Sequence, residues 1–108
     1  MLMGSIKKLS LVINSETIFS KEDYGKPISE QLSTVLRRNV TKDDYADIAS
    51  RGSVSFSTIR DVVYRTNSLT KTNAKAISLL IHAAFENSIA NKLQADGDII
   101  FLNGLLKI

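Results

Sequence analysis

Apolar positions along this chain change period twice. From Ile6 to Phe19, Leu9, Leu11 and Ile13 alternate, with Val12 interrupting and Thr17-Ile18-Phe19 following. A period of two with β-branched residues predicts an N-terminal strand. Ser20 to Gly25 is loop chemistry. Pro27 then opens a helical pattern over 27–38, with Ile28, Leu32, Val35 and Leu36 at helix spacing. Proline is tolerated in a first turn because that N–H has no intrahelical partner.

Asn39-Val40 breaks the run, and Thr41 is placed to cap the next helix by accepting from the Asp44 N–H. Asp43 and Asp44 suit the positive end of its dipole. Tyr45, Ile48 and Ala49 form its apolar stripe, and Arg51-Gly52-Ser53 ends it after about two turns. Ser55 caps a further helix, Ser55–Thr66, with Ile59, Val62 and Val63 facing inward. Thr66-Asn67-Ser68 interrupts, and Thr70 opens a longer helix whose core face is Ile77, Leu80, Ile81, Ala84 and Phe85, prolonged by Ile89 and Leu93.

At the C-terminus Asp96-Gly97-Asp98 reads as a turn and Ile99-Ile100-Phe101-Leu102 as a strand. Asn103-Gly104 then leads into Leu105-Leu106-Lys107-Ile108. Asn-Gly between apolar runs is a type I′ hairpin signal. A hairpin alone is marginal, so it needs the N-terminal strand or the same hairpin of another subunit. The expectation is a mainly α domain comprising strand and loop over 1–26, a helical core over 27–95 and a hairpin over 96–108.

With 108 residues, one domain with a modest core fits. A 44% hydrophobic content argues for a folded body. The absence of cysteine excludes disulfides, thiolate metal sites and a cysteine nucleophile, and a lone His82 excludes a histidine cluster. His82 follows Ile81 on the core helix and reads as a packing ring. No phosphate-cradling glycine loop, nucleophile elbow or metal spacing is visible, so neither an enzyme, a cofactor nor a metal is expected. No apolar run reaches the ~18 residues of a membrane span. Lys7-Lys8 precedes too short an apolar stretch for a secretory signal. A cytoplasmic protein is the default expectation, with the two lysines guarding an aggregation-prone strand.

The formal charge is +3, and its distribution matters more than its size. Residues 39–50 set Lys42 against Asp43, Asp44 and Asp47. Residues 51–75 set Arg51, Arg60, Arg65, Lys71 and Lys75 against Asp61 alone, a net of +4. A cationic middle between near-neutral flanks attracts a polyanion along one surface.

Two short helices joined by a tight turn, the second opening on a hydroxyl residue, make a helix-turn-helix. Ile48 and a small Ala49 must face the second helix, Val54 plugs the corner, and Ile59 and Val62 anchor to the core. The outer side then carries Ser55, Phe56, Ser57, Arg60, Asp61 and Tyr64, polar and partly basic as major-groove insertion requires. The run Asp47-Ile-Ala-Ser-Arg-Gly-Ser-Val-Ser-Phe-Ser-Thr-Ile-Arg-Asp-Val-Val63 resembles the helix-turn-helix of lac-repressor-type headpieces and the wider lambda-repressor-like superfamily. The likeness covers roughly residues 43–80, and helix 27–38 would be the extra leading helix of the lambda-repressor-like arrangement.

The resemblance implies roles by position. Ser55 would cap the recognition helix and touch a phosphate, Phe56 and Ser57 would be the base-reading pair, and Arg60 and Asp61 would occupy the exposed turn. Asn67 and Ser68 would lie in the loop approaching the backbone, with Thr70 capping the next helix. The family's turn glycine falls at Ser53, one place after Gly52, and its usual arginine falls at Asp61. Each role has a rival: Phe56 as packing against the first helix, Tyr64 as partly buried, Arg60 and Arg65 as solvated charges, Asn67 as a helix cap. Arg51 is a phosphate contact or a plain surface residue.

The expected function is sequence-specific double-stranded DNA binding by a small transcriptional regulator. One recognition helix covers few base pairs, so a homodimer through the apolar terminal strands is expected. The alternatives are a protein-interaction module on the same scaffold without DNA binding, or an antitoxin-like binder of both DNA and protein.

Overall fold

The computed structural model describes residues 18–107. A short 3-10 turn, Lys21–Asp23, precedes four helices: α1 (Glu30–Asn39), α2 (Lys42–Arg51), α3 (Phe56–Val63) and α4 (Ala74–Leu106). There is no strand among the described residues. The expected N-terminal strand lies almost wholly outside them, and neither Ile18 nor Phe19 is in a strand.

Helix starts follow local side-chain chemistry. The first begins later than the proline signal implied: Ser29 Oγ accepts from the Leu32 N–H at 3.1 Å, so Pro27 precedes the cap instead of occupying the first turn. The Thr41 cap forms as expected. Its hydroxyl accepts from Asp44 N at 3.3 Å, while Asp44 Oδ2 accepts from the Thr41 N–H at 2.9 Å. These two exchanges make a capping box. At α4 the first regular residue is Ala74, four beyond the expected Thr70. Thr70 and Asn73 instead exchange side-chain-to-backbone hydrogen bonds of 2.9 and 3.2 Å, closing a turn ahead of the helix.

The end of α3 is also earlier than expected, at Val63 and not Thr66. Thr66 N donates to Asp61 O at 2.9 Å and Arg65 N to Val62 O at 3.1 Å, the paired closure of a Schellman motif. Arg65 holds the left-handed position, φ 66°, where glycine is usual. Its guanidinium offsets that strain by donating from Nε to Ile28 O at 2.7 Å.

The largest correction is at the C-terminus. Residues 96–108 were expected as turn and hairpin, but α4 runs unbroken from Ala74 to Leu106, through Gly97 and Asn103-Gly104. The 95/96 boundary between core and hairpin therefore vanishes. Four consecutive apolar residues carry no period of their own, so they take the structure of the segment propagating into them. Once nucleated, a helix gains one hydrogen bond per residue fixed, which outweighs roughly 1 kcal/mol for each glycine. Lys107, at φ 60°, caps the helix by donating from its N–H to Asn103 O.

Leu36, Ile48, Ile59, Val62, Val63, Leu69, Ile77 and Leu80 fill the core where the four helices meet. Val54 plugs the corner between α2 and α3 as expected, and Ala49 packs against the core half-buried. Phe85, Ile89 and Leu93 do not join it: Phe85 is 63% exposed, because two residues along a helix lie about 200° apart and it is Asn87 that meets the α1–α2 junction. Ser33 Oγ, buried, donates to Val63 O at 2.6 Å and ties α1 to the end of α3. Asn87 Nδ2 donates to Asn39 O at 2.8 Å and to Asp44 Oδ2 at 3.0 Å, fastening α4 across the α1–α2 junction.

Asp44 thus serves the Thr41 cap and the Asn87 bridge with one oxygen. Asp44→Ala is expected to cost about 1–2 kcal/mol, the scale of a lost cap, in denaturant unfolding. Asn87→Ala should cost less, because the cap survives.

Candidate nucleic-acid interface

The turn between α2 and α3 comprises Gly52 to Ser55. Gly52 has φ −115°, ordinary extended backbone, and its N–H donates to Ile48 O at 3.0 Å, so this turn has no left-handed glycine. Ser53, where a turn glycine was expected from the resemblance, is filled without strain, as φ is not positive there. Ser55 caps α3, accepting from Thr58 N at 3.2 Å, and its Oγ also lies 2.9 Å from Thr58 Oγ1 and 3.2 Å from Ser57 Oγ. Both serines remain exposed.

Phe56 packs on Tyr45 of α2, ring centroids 5.4 Å apart and tilted 48°. At 36% exposed it both packs on α2 and keeps part of its surface open to solvent. Tyr64 is more open than expected, 52% exposed, with the Arg37 guanidinium 5.4 Å from its ring centroid. Arg60 and Asp61 are both on the outer side, but they pair with each other, Nη2 to Oδ1 at 3.3 Å.

Tyr64, Arg37 and Arg60 lie close enough to act on the Tyr45 hydroxyl. Burial pushes the Tyr45 hydroxyl above the usual tyrosine range; Tyr64 adds to this, and Arg37 and Arg60 oppose it. Tyr45 is therefore neutral near pH 7. Because the folded chain holds that proton more tightly than the unfolded chain, stability declines as pH climbs through the ordinary tyrosine pKa of about 10 and beyond.

The remaining sequence-predicted residues separate into other settings. Asn67 and Ser68 line one shallow polar depression with Ser55 and Thr58. Asn67 also helps close α3, its N–H donating to Asp61 O at 3.1 Å. Arg51 pairs with Asp47 at 2.9 Å and faces a different depression shared with Lys75. Arg65 points away from this side, toward Ile28 O and Glu30, with Nη1 at 3.4 Å from the Glu30 carboxylate.

Sequence reasoning missed Arg37 and Tyr45. Both belong to helices outside the 51–75 charge window, and only folding brings α1 and α2 beside α3. The signal was the Arg37-Arg38 pair in the last turn of a helix. The outer side of α3 is left uncovered by the other described helices, so Ser57, Arg60 and the rim of Tyr64 are open to solvent. Among the described residues, no helix is long and apolar enough to cross a membrane. No protein-family profile, curated protein or solved structure matches this chain.

Proposed function

We propose that this chain binds double-stranded DNA by seating α3 in the major groove, acting as a small transcriptional regulator. The uncovered outer side of α3 is the observation that carries this reading. With its side chains an α-helix is roughly 10–12 Å across, which a major groove ~12 Å wide admits. Ser57 and Arg60 would face base edges, with Arg37 on Tyr64 beside a flanking phosphate. Ser55, Asn67 and Ser68 would approach the backbone from their shared depression. Arg51 with Lys75 would extend the phosphate track, and Arg65 would serve the fold instead.

Asp61 favours a second reading. It occupies the reading side and offsets Arg60, which suits a protein-interaction module, or an antitoxin-like binder of both DNA and protein, better than a plain DNA reader. Selection from a random duplex pool separates the two. Enrichment of a defined sequence with steep salt dependence is expected for the DNA reading. Failure to enrich any sequence at low salt would leave the interaction module.

A further inference from the structure

We propose that α4 beyond Ala84 is a dimerisation arm that pairs antiparallel with the same segment of a second copy of this chain. Among the described residues none past Ala84 is buried, and nine large apolar side chains there are exposed, from 44% at Ile89 to 74% at Ile100. Together they leave on the order of 1,000 Å² of apolar surface, comparable with the ~800 Å² each partner contributes to a standard interface. The largest patch on a typical monomer is only about 300–600 Å².

Spacing on the helix specifies the kind of partner. Phe85, Ile89, Lys92, Asp96, Ile99, Asn103 and Leu106 recur at alternating steps of four and three, the repeat of a two-stranded coiled-coil seam. Leu93 and Ile100 each lie one place beyond a seam position and widen it on one side.

The two charged positions decide direction. In a parallel pair each layer sets a residue against its own copy, so Lys92 would meet Lys92 and Asp96 would meet Asp96. In an antiparallel pair with its two-fold axis beside Gln94, Lys92 of each copy meets Asp96 of the other. The same register lays Ile89 on Ile99. Within one chain Lys92 Nζ already lies 3.1 Å from Asp96 Oδ2, both exposed, so the opposite charges occupy the line that the seam needs. The outer tip supports the same partner. From Ile99 to Leu106 apolar side chains point to all sides of the helix, a pattern that requires burial all round. Antiparallel crossing brings each tip alongside the other copy's helical body, whereas parallel crossing sets each tip only against the other tip and leaves their outward apolar sides in water. This arm takes the place of the expected C-terminal strand, which is helical, and the proposal stands whether or not the chain binds DNA.

Sedimentation equilibrium of the whole chain is expected to give twice the 11.9 kDa chain mass at micromolar concentration. Ile89→Glu with Ile99→Glu should raise the dimer dissociation constant at least about 100-fold by burying charge in the seam. Both side chains are exposed in the single chain, so the variant's helical circular dichroism should persist. A wild-type chain that stays monomeric at ~100 μM, or a dimer indifferent to that variant, would overturn the proposal. Direction is read by cross-linking, since the chain has no cysteine of its own. Ile89→Cys mixed with Ile99→Cys should form a disulfide between copies. Self-linking of Leu106→Cys in its place would overturn the antiparallel order.

Discussion

Ile59→Ala is expected to lower the unfolding free energy by about 2–5 kcal/mol, the range for truncating a fully buried aliphatic side chain. Ile59 is 0% exposed and belongs to the core that α2, α3 and α4 share. The loss has two parts: the transfer energy of the removed carbons and the cavity left between three helices that cannot close independently. Total stability of a domain this size is about 5–15 kcal/mol, so one such cavity removes a large fraction of it. The midpoint of guanidinium unfolding should fall with its slope little changed, since the unfolded surface is nearly the same. A shift below ~0.5 kcal/mol would mean that α3 is not anchored by this residue.

The second large effect concerns binding. Arg37→Ala with Arg60→Ala is expected to reduce the salt slope of duplex affinity by about two, because each cation withdrawn from the duplex, whether from a phosphate or from the groove, releases about one fewer counterion. Over a fourfold rise in salt, the ratio of wild-type to variant affinity should then shrink about tenfold. Arg65→Ala is the control, because its guanidinium is bound to Ile28 O and Glu30. It should destabilise the fold by about 1–2 kcal/mol through the lost hydrogen bond while leaving the salt slope intact. Titrations by fluorescence anisotropy at several salt concentrations read both. An unchanged slope in the double variant would remove α3 and its Arg37 neighbour from the DNA-reading role, and a slope lowered by Arg65→Ala in a still-folded chain would put Arg65 itself on phosphate.

Local signals in the sequence located the middle of the fold well. Thr41 with Asp44, Ser55 with Thr58 and the Gly52 stop act over three or four residues, and each helix end near them falls where those side chains put it. The inward positions Ile48, Val54, Ile59 and Val62 were equally legible, since a helix can bury only one stripe. Less legible was anything set by a neighbour distant in sequence. Phe56 turned to Tyr45, and Arg65 was drawn to Ile28 across 37 positions. Arg37 came beside the outer side of α3, against Tyr64, because α1 packs next to α3. The hairpin expectation at 99–108 failed for another reason. Asn-Gly favours a turn only when the flanking runs can pair, and here the preceding helix extends through them.

By itself, the sequence determined the caps at Thr41 and Ser55, and the buried stripes of the two short helices those caps begin. Those depend on hydrogen bonds and periodicities contained within a few residues. Tertiary structure alone decided which arginines share a surface with α3, and where the long helix stops being core and becomes a projecting arm. Packing ends where neighbouring helices run out, and no single helix records the lengths of the others.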